Sequence, residues 1–125
     1  MKYSNSSFKG TYGFSVVVGA NVAIGLSLAT FDGRGNFKGT QKLNVSGAIV
    51  TSPIYGTYSI NPDGTGTATV TFGEPGGGTT QSGIDLVILE AKSSGSRKVA
   101  TELQGVLSNP GPGGGLGLAH FKLLP

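Results

Sequence analysis

The sequence predicts an all-β chain, a single antiparallel β-barrel of about eight strands in an up-and-down meander. Three observations point there. Apolar residues recur with a period of two in segment after segment, and no glycine-free window carries the i, i+3, i+4, i+7 spacing of an amphipathic helix. Turn residues punctuate those segments at short intervals. Composition agrees: 23 glycines and a charged fraction of 12%, against about 25% in an average domain, leave solubility to hydroxyls and amides. The 125 residues make one domain, 1–125, able to bury about two thirds of its unfolded surface without disulfides. There are no cysteines, so thiolate metal sites are excluded as well.

Residues 1–8 are polar and read as a flexible N-terminal segment. The first strand follows, with Tyr12, Phe14, Val16 and Val18 on one face. In the second, Val22, Ile24, Leu26 and Leu28 share one face and Ala23, Gly25, Ser27 and Ala29 the other. A strand that is large-apolar on one side and small-apolar on the other has no face suited to water. It either lies between two sheets or lines a barrel while its outside meets a partner subunit; the second is favoured, which predicts a homo-oligomer through this strand. A third strand runs near Phe37 to Val45 and a fourth near Ile54 to Ile60. The fifth, "TGTATVTF", sets Ala68, Val70 and Phe72 against threonines, and the sixth, "GIDLVILE", is apolar almost throughout. The seventh spans about Lys98 to Leu107, and "LGLAHFKLL" ends the chain. Tyr12, Phe14, Leu26, Ile60 and Phe72 are the large residues expected to point inward.

Two stretches could pass for sites. "DGRG" at 32–35 recurs as "DGTG" at 63–66. A P-loop would need Gly-Lys-Ser/Thr entering a helix, and an EF-hand loop several spaced carboxylates. Each stretch offers one carboxylate between alternating segments, so both read as hairpin turns, the second prepared by Asn61-Pro62. Two copies with divergent flanks do not make a solenoid. "EPGGGTT" (74–80) and "NPGPGGG" (109–115) read as longer loops at a barrel rim.

The chain resembles an uncharacterised group of small bacterial β-barrel proteins. The resemblance rests on "GTYGF" (Gly10 to Phe14), "TFDGRGN" (Thr30 to Asn36), "GTYSINPDGTGT" (Gly56 to Thr67) and the later "IDLVILE". It covers most of the chain but implies no activity. In architecture the pattern is also similar to lipocalin-like and allene-oxide-cyclase-like barrels, which implies a hydrophobic small molecule held inside or cyclised there. Fold alone does not carry that function over.

An eight-stranded barrel is either filled by side chains or holds one small ligand. The residues expected to line a ligand are Tyr12, Phe14, Tyr58, Asp85 and Glu102, with Asp85 and Glu102 also the candidates for acid–base catalysis. Asp85 interrupts an apolar strand, where a buried carboxylate would need partners or a raised pKa. Glu102 alternates with Ala100, Gln104 and Val106, so with Gln104 it would form a polar floor if that face points in. His120, the single histidine, has no acid near it in sequence and reads as a surface residue. No Gly-x-Ser-x-Gly elbow and no metal-ligand spacing occur, so no metal and no cofactor are expected. "KGTYGFSVVV" is similar to the RNP1 strand of RNA-recognition folds, but it lacks the companion motif and the helices.

A net charge of +3 comes from few acids, not many bases, and implies neither a nucleic-acid nor a membrane partner. No apolar run approaches the roughly 20 residues of a spanning helix. The polar start leaves two compartments open: export with the leader removed, or the cytoplasm. Three functions are therefore expected in order. The first is binding of a hydrophobic small molecule inside the barrel, the second a cofactor-independent cyclase or isomerase on the same scaffold, and the third a structural or surface protein with a filled barrel.

Overall fold

The computed structural model describes residues 2–18, 23–45, 47–73, 78–109 and 117–125. Eight strands close into one antiparallel barrel in simple meander order: β1 (Lys9–Val18), β2 (Ala23–Asp32), β3 (Asn36–Val45), β4 (Ala48–Ile60), β5 (Thr65–Gly73), β6 (Thr79–Ser94), β7 (Arg97–Asn109) and β8 (Gly117–Leu123), with β8 returning to β1. The predicted fold class is the observed one, and the architecture is compatible with a lipocalin-like barrel. Val22 and Glu74, the side chains of Val18 and Ala23, and most of the two glycine-rich loops lie outside the described residues.

β4 begins six residues earlier than its alternation suggests, because Pro53 lies within it rather than before it. Tyr58 donates its backbone N–H toward β3, to Gly35 O at 2.9 Å. By alternation the odd positions of β4 aim at β5, and pairing with β5 starts only at Ile54 with Phe72. The donor that proline lacks is thus not needed there.

Both Asp-Gly stretches are hairpin turns, as expected, but each is longer than a two-residue type I′ loop. In the first, Gly33 and Gly35 take φ of +78° and +107°, with Arg34 between them. Asp32 ends β2 and its Oδ1 accepts the backbone N–H of Arg34 at 2.7 Å and of Asn36 at 3.1 Å. Those two amides hold its carboxyl below the usual range. In the second turn, Asp63 accepts from the Thr65 hydroxyl (2.6 Å) and its N–H (3.0 Å), with the same consequence.

The N-terminal segment corrects an expectation. Instead of forming a flexible lead-in, Asn5–Ser7 fold into one 3-10 turn, η1, and Phe8 is fully buried. Asn5 Oδ1 accepts the Ile60 N–H at 2.7 Å, and Tyr3 N donates to Pro62 O at 3.2 Å. The Phe8 ring stacks on Phe31 with centroids 3.8 Å apart and meets Tyr12 edge-on at 4.8 Å. A polar sequence concealed one ring that closes the barrel.

The interior is aromatic. All six phenylalanines, with Tyr12 and Tyr58, are buried, together with Ile54, Ile60, Ile84, Leu86 and Leu103. Tyr12 Oη donates to Ala100 O at 2.5 Å, tying β1 to β7 across the lumen. Tyr58 Oη donates to Phe8 O (2.6 Å) and accepts from Gly33 N (2.7 Å), joining the plug to the first turn. Burial pushes both phenols above their ordinary range. A raised folded pKa means the neutral form is held, so this contribution is complete below pH about 10 and is lost as pH rises through the folded values. Denaturant midpoints followed against pH should therefore fall on the alkaline side. Tyr12→Phe and Tyr58→Phe should each flatten that fall.

Candidate functional site

The barrel offers two places for function, its lumen and its outer wall. Inside, Tyr12, Phe14 and Tyr58 face inward as expected, and all three are engaged in packing or hydrogen bonds. The void left among Phe8, Phe14, Phe31, Phe121 and Ile84 measures about 10 Å³, room for about one water. Because Tyr12 and Phe14 point into this core, they present no face on which a base could stack, which removes the RNP1 likeness.

Asp85 and Glu102 correct the sequence reading. Ile84, Leu86 and Ile88 take the inward positions of β6, so alternation puts Asp85 outside with Val87 and Leu89, and all three are exposed. Glu102 lies outside with Gln104, while Leu103 and Gly105 turn in. Neither carboxylate lines the lumen. Buried polar side chains on inward positions include Ser82 of β6 and, as direct partners across β2 and β3, Ser27 and Gln41. Among the described residues Ser27 Oγ and Gln41 Oε1 have no hydrogen-bond partner. The alternation that placed Ser27 on the small face of β2 was its only sequence signal.

On the outer wall, four aliphatic side chains form a row across four adjacent strands: Ile24, Val17, Leu118 and Val106, each paired with the next in register. Leu26 and Leu28 extend the row down β2. The exposures of Ile24, Leu26 and Leu28 are 57%, 67% and 46%. Leu26, expected inward, is thus the most exposed large apolar residue among the described residues. Alternation along β2 decides it: Gly25, Ser27, Ala29 and the Phe31 ring turn inward, so Ile24, Leu26 and Leu28 stand outside. β3, next to β2, carries Lys38 and Lys42 on its outer face, and β5 carries threonines. Exposed apolar side chains also stand on β4 (Ile49 and Tyr55) and on β6 (Val87 and Leu89), but the row on β2, β1, β8 and β7 is the one whose members are register neighbours. Among the described residues no helix is long and apolar enough to cross a membrane.

Among the described residues, the same wall holds a contact with a catalytic look. His120 Nε2 lies 2.5 Å from Glu102 Oε2, with side-chain exposures of 44% and 26%. The pairing of β7 with β8 brings together residues eighteen apart, an acid that sequence proximity did not supply. Lys122 is the register partner of Glu102, and Ser15 that of His120. The pair is partly buried on the outer wall, where such ion pairs are worth about 0–1 kcal/mol. Comparison with protein-family models, curated proteins and solved structures returned no match for this chain.

Proposed function

We propose that this chain is a structural barrel, filled by its own side chains, that assembles with further copies of itself through the outer face of β2. One observation carries the reading: Ile24, Leu26 and Leu28 stand out from a barrel whose described core is packed with aromatic rings. With Val17, Leu118 and Val106 they make a contiguous apolar patch on the order of a few hundred Å², at the upper end of what monomers expose. The outward positions of β1 and β2 within it carry no charge, so a second copy meets no like charge there. Each leucine buried in such a contact contributes about 1.5–3 kcal/mol.

A second reading, a hydrophobic molecule held in the lumen, has its own support. The partnerless Ser27 Oγ and Gln41 Oε1 lie toward the barrel end remote from η1, and would suit a ligand with one polar group. The compatible lipocalin-like architecture favours the same idea.

Native mass spectrometry separates the two. Self-assembly predicts dimers or larger species in the wild type and monomers for Leu26→Ser, whose side chain is exposed within one copy and can be changed without unfolding it. The ligand reading predicts an adduct that leaves on denaturation. A protein still monomeric at about 1 mM, where a contact of about −4 kcal/mol would already show, rules the assembly out.

A further inference from the structure

The outer face of β1 is a valley beside the ridge of β2. Its outward residues are Gly13, Ser15 and Val17, and each lies level with one ridge residue: Gly13 with Leu28, Ser15 with Leu26, Val17 with Ile24. At Gly13 a methyl group would meet only Leu124, at an ordinary 3.7 Å, so the valley floor is low because the side chain is missing, not because it is crowded. Ridge and valley are thus adjacent, parallel, of matching height and on the same molecule.

Two kinds of two-fold axis can bring this wall against a second copy. An axis running across the strands lays β2 on β2 antiparallel, leucines against leucines, and leaves both valleys unfilled. An axis running along the strands, between β1 and β2, exchanges left for right and keeps height. It sets Leu26 of each copy over Ser15 of the other, and Leu28 over Gly13. It does so twice, since a two-fold interface is self-complementary.

We propose that two copies pair about an axis parallel to the strands, the aliphatic ridge of β2 in each filling the glycine–serine valley of β1 in the other. The barrels then lie side by side with their η1-closed ends pointing the same way. This rests on the self-assembly proposed above and specifies its geometry.

The chain has no cysteine, so single cysteines report distances directly. With face-packed sheets about 10 Å apart and neighbouring strands about 4.8 Å apart, the parallel axis holds position 24 about 11 Å from the partner's position 24. Positions 24 and 28 of opposite copies are then about 17 Å apart, and the crossing axis reverses the two values. A bis-maleimide linker reaching about 11 Å should therefore join Ile24→Cys to itself and Leu28→Cys to itself, while a mixture of the two variants gives no 24–28 product. Cross-linking only in the mixture overturns the parallel axis but leaves self-assembly standing. No cross-link in any sample, with the wild type still dimeric, places the interface elsewhere and overturns the proposal. A monomeric wild type removes the underlying reading, and this arrangement with it.

Discussion

Phe8→Ala is expected to cost about 3–5 kcal/mol and to lower Tm by roughly 10–20 °C. Phe8 is fully buried, stacked on Phe31 at 3.8 Å and within 5.0 Å of Tyr58, so deleting its ring opens a cavity where four strands and η1 converge. Collapse into the gap is restricted, because the neighbouring rings are held from elsewhere: Tyr12 by Ala100 O and Tyr58 by Gly33 N. Thermal and urea unfolding of the variant check this. A loss below about 1 kcal/mol would mean that residues 1–8 do not close the barrel and that the flexible reading of that segment was right.

Gly56→Ala is the second large effect, expected at about 3 kcal/mol or more for the opposite reason, too much matter instead of too little. A methyl group at this position would fall inside the Thr69 carbonyl oxygen and press on the Phe37 ring at 2.8 Å. The carbonyl is backbone of β5 and cannot yield without disturbing the β4–β5 ladder. The ring is the register partner of Gly56 across β3 and β4, an aromatic lying over a glycine, a pairing that tight barrel curvature uses. A denaturation midpoint equal to the wild type would show that the two strands do not approach this closely. Leu26→Ser should leave monomer stability nearly unchanged, so loss of assembly by that variant cannot be confused with unfolding.

The turns were legible because their chemistry is local. Asp32 and Asp63 cap the residues that immediately follow them, and glycine supplies positive φ where the chain reverses. Strand existence was legible for the same reason, alternation being a property of consecutive residues. Strand ends were less so: Pro53 reads as a break until the partner strand shows that its missing donor was never required. Alternation along β6 groups Asp85 with Val87 and Leu89 but does not say whether that face looks inward.

By itself, then, the sequence determined an all-β chain, its eight strands, its two Asp-Gly hairpins and the two-faced character of β2. Closure of the sheet decided the rest. Closing the sheet gathers Tyr12, Phe14, Phe31, Phe37 and Phe121, with the Phe8 plug, into one aromatic core. With Phe31 inside, alternation left the leucines of β2 outside, Asp85 and Glu102 took outward positions, and His120 gained a carboxylate partner from the neighbouring strand. Which face is inside depends on the volume available to all eight strands together, and no single strand carries that information.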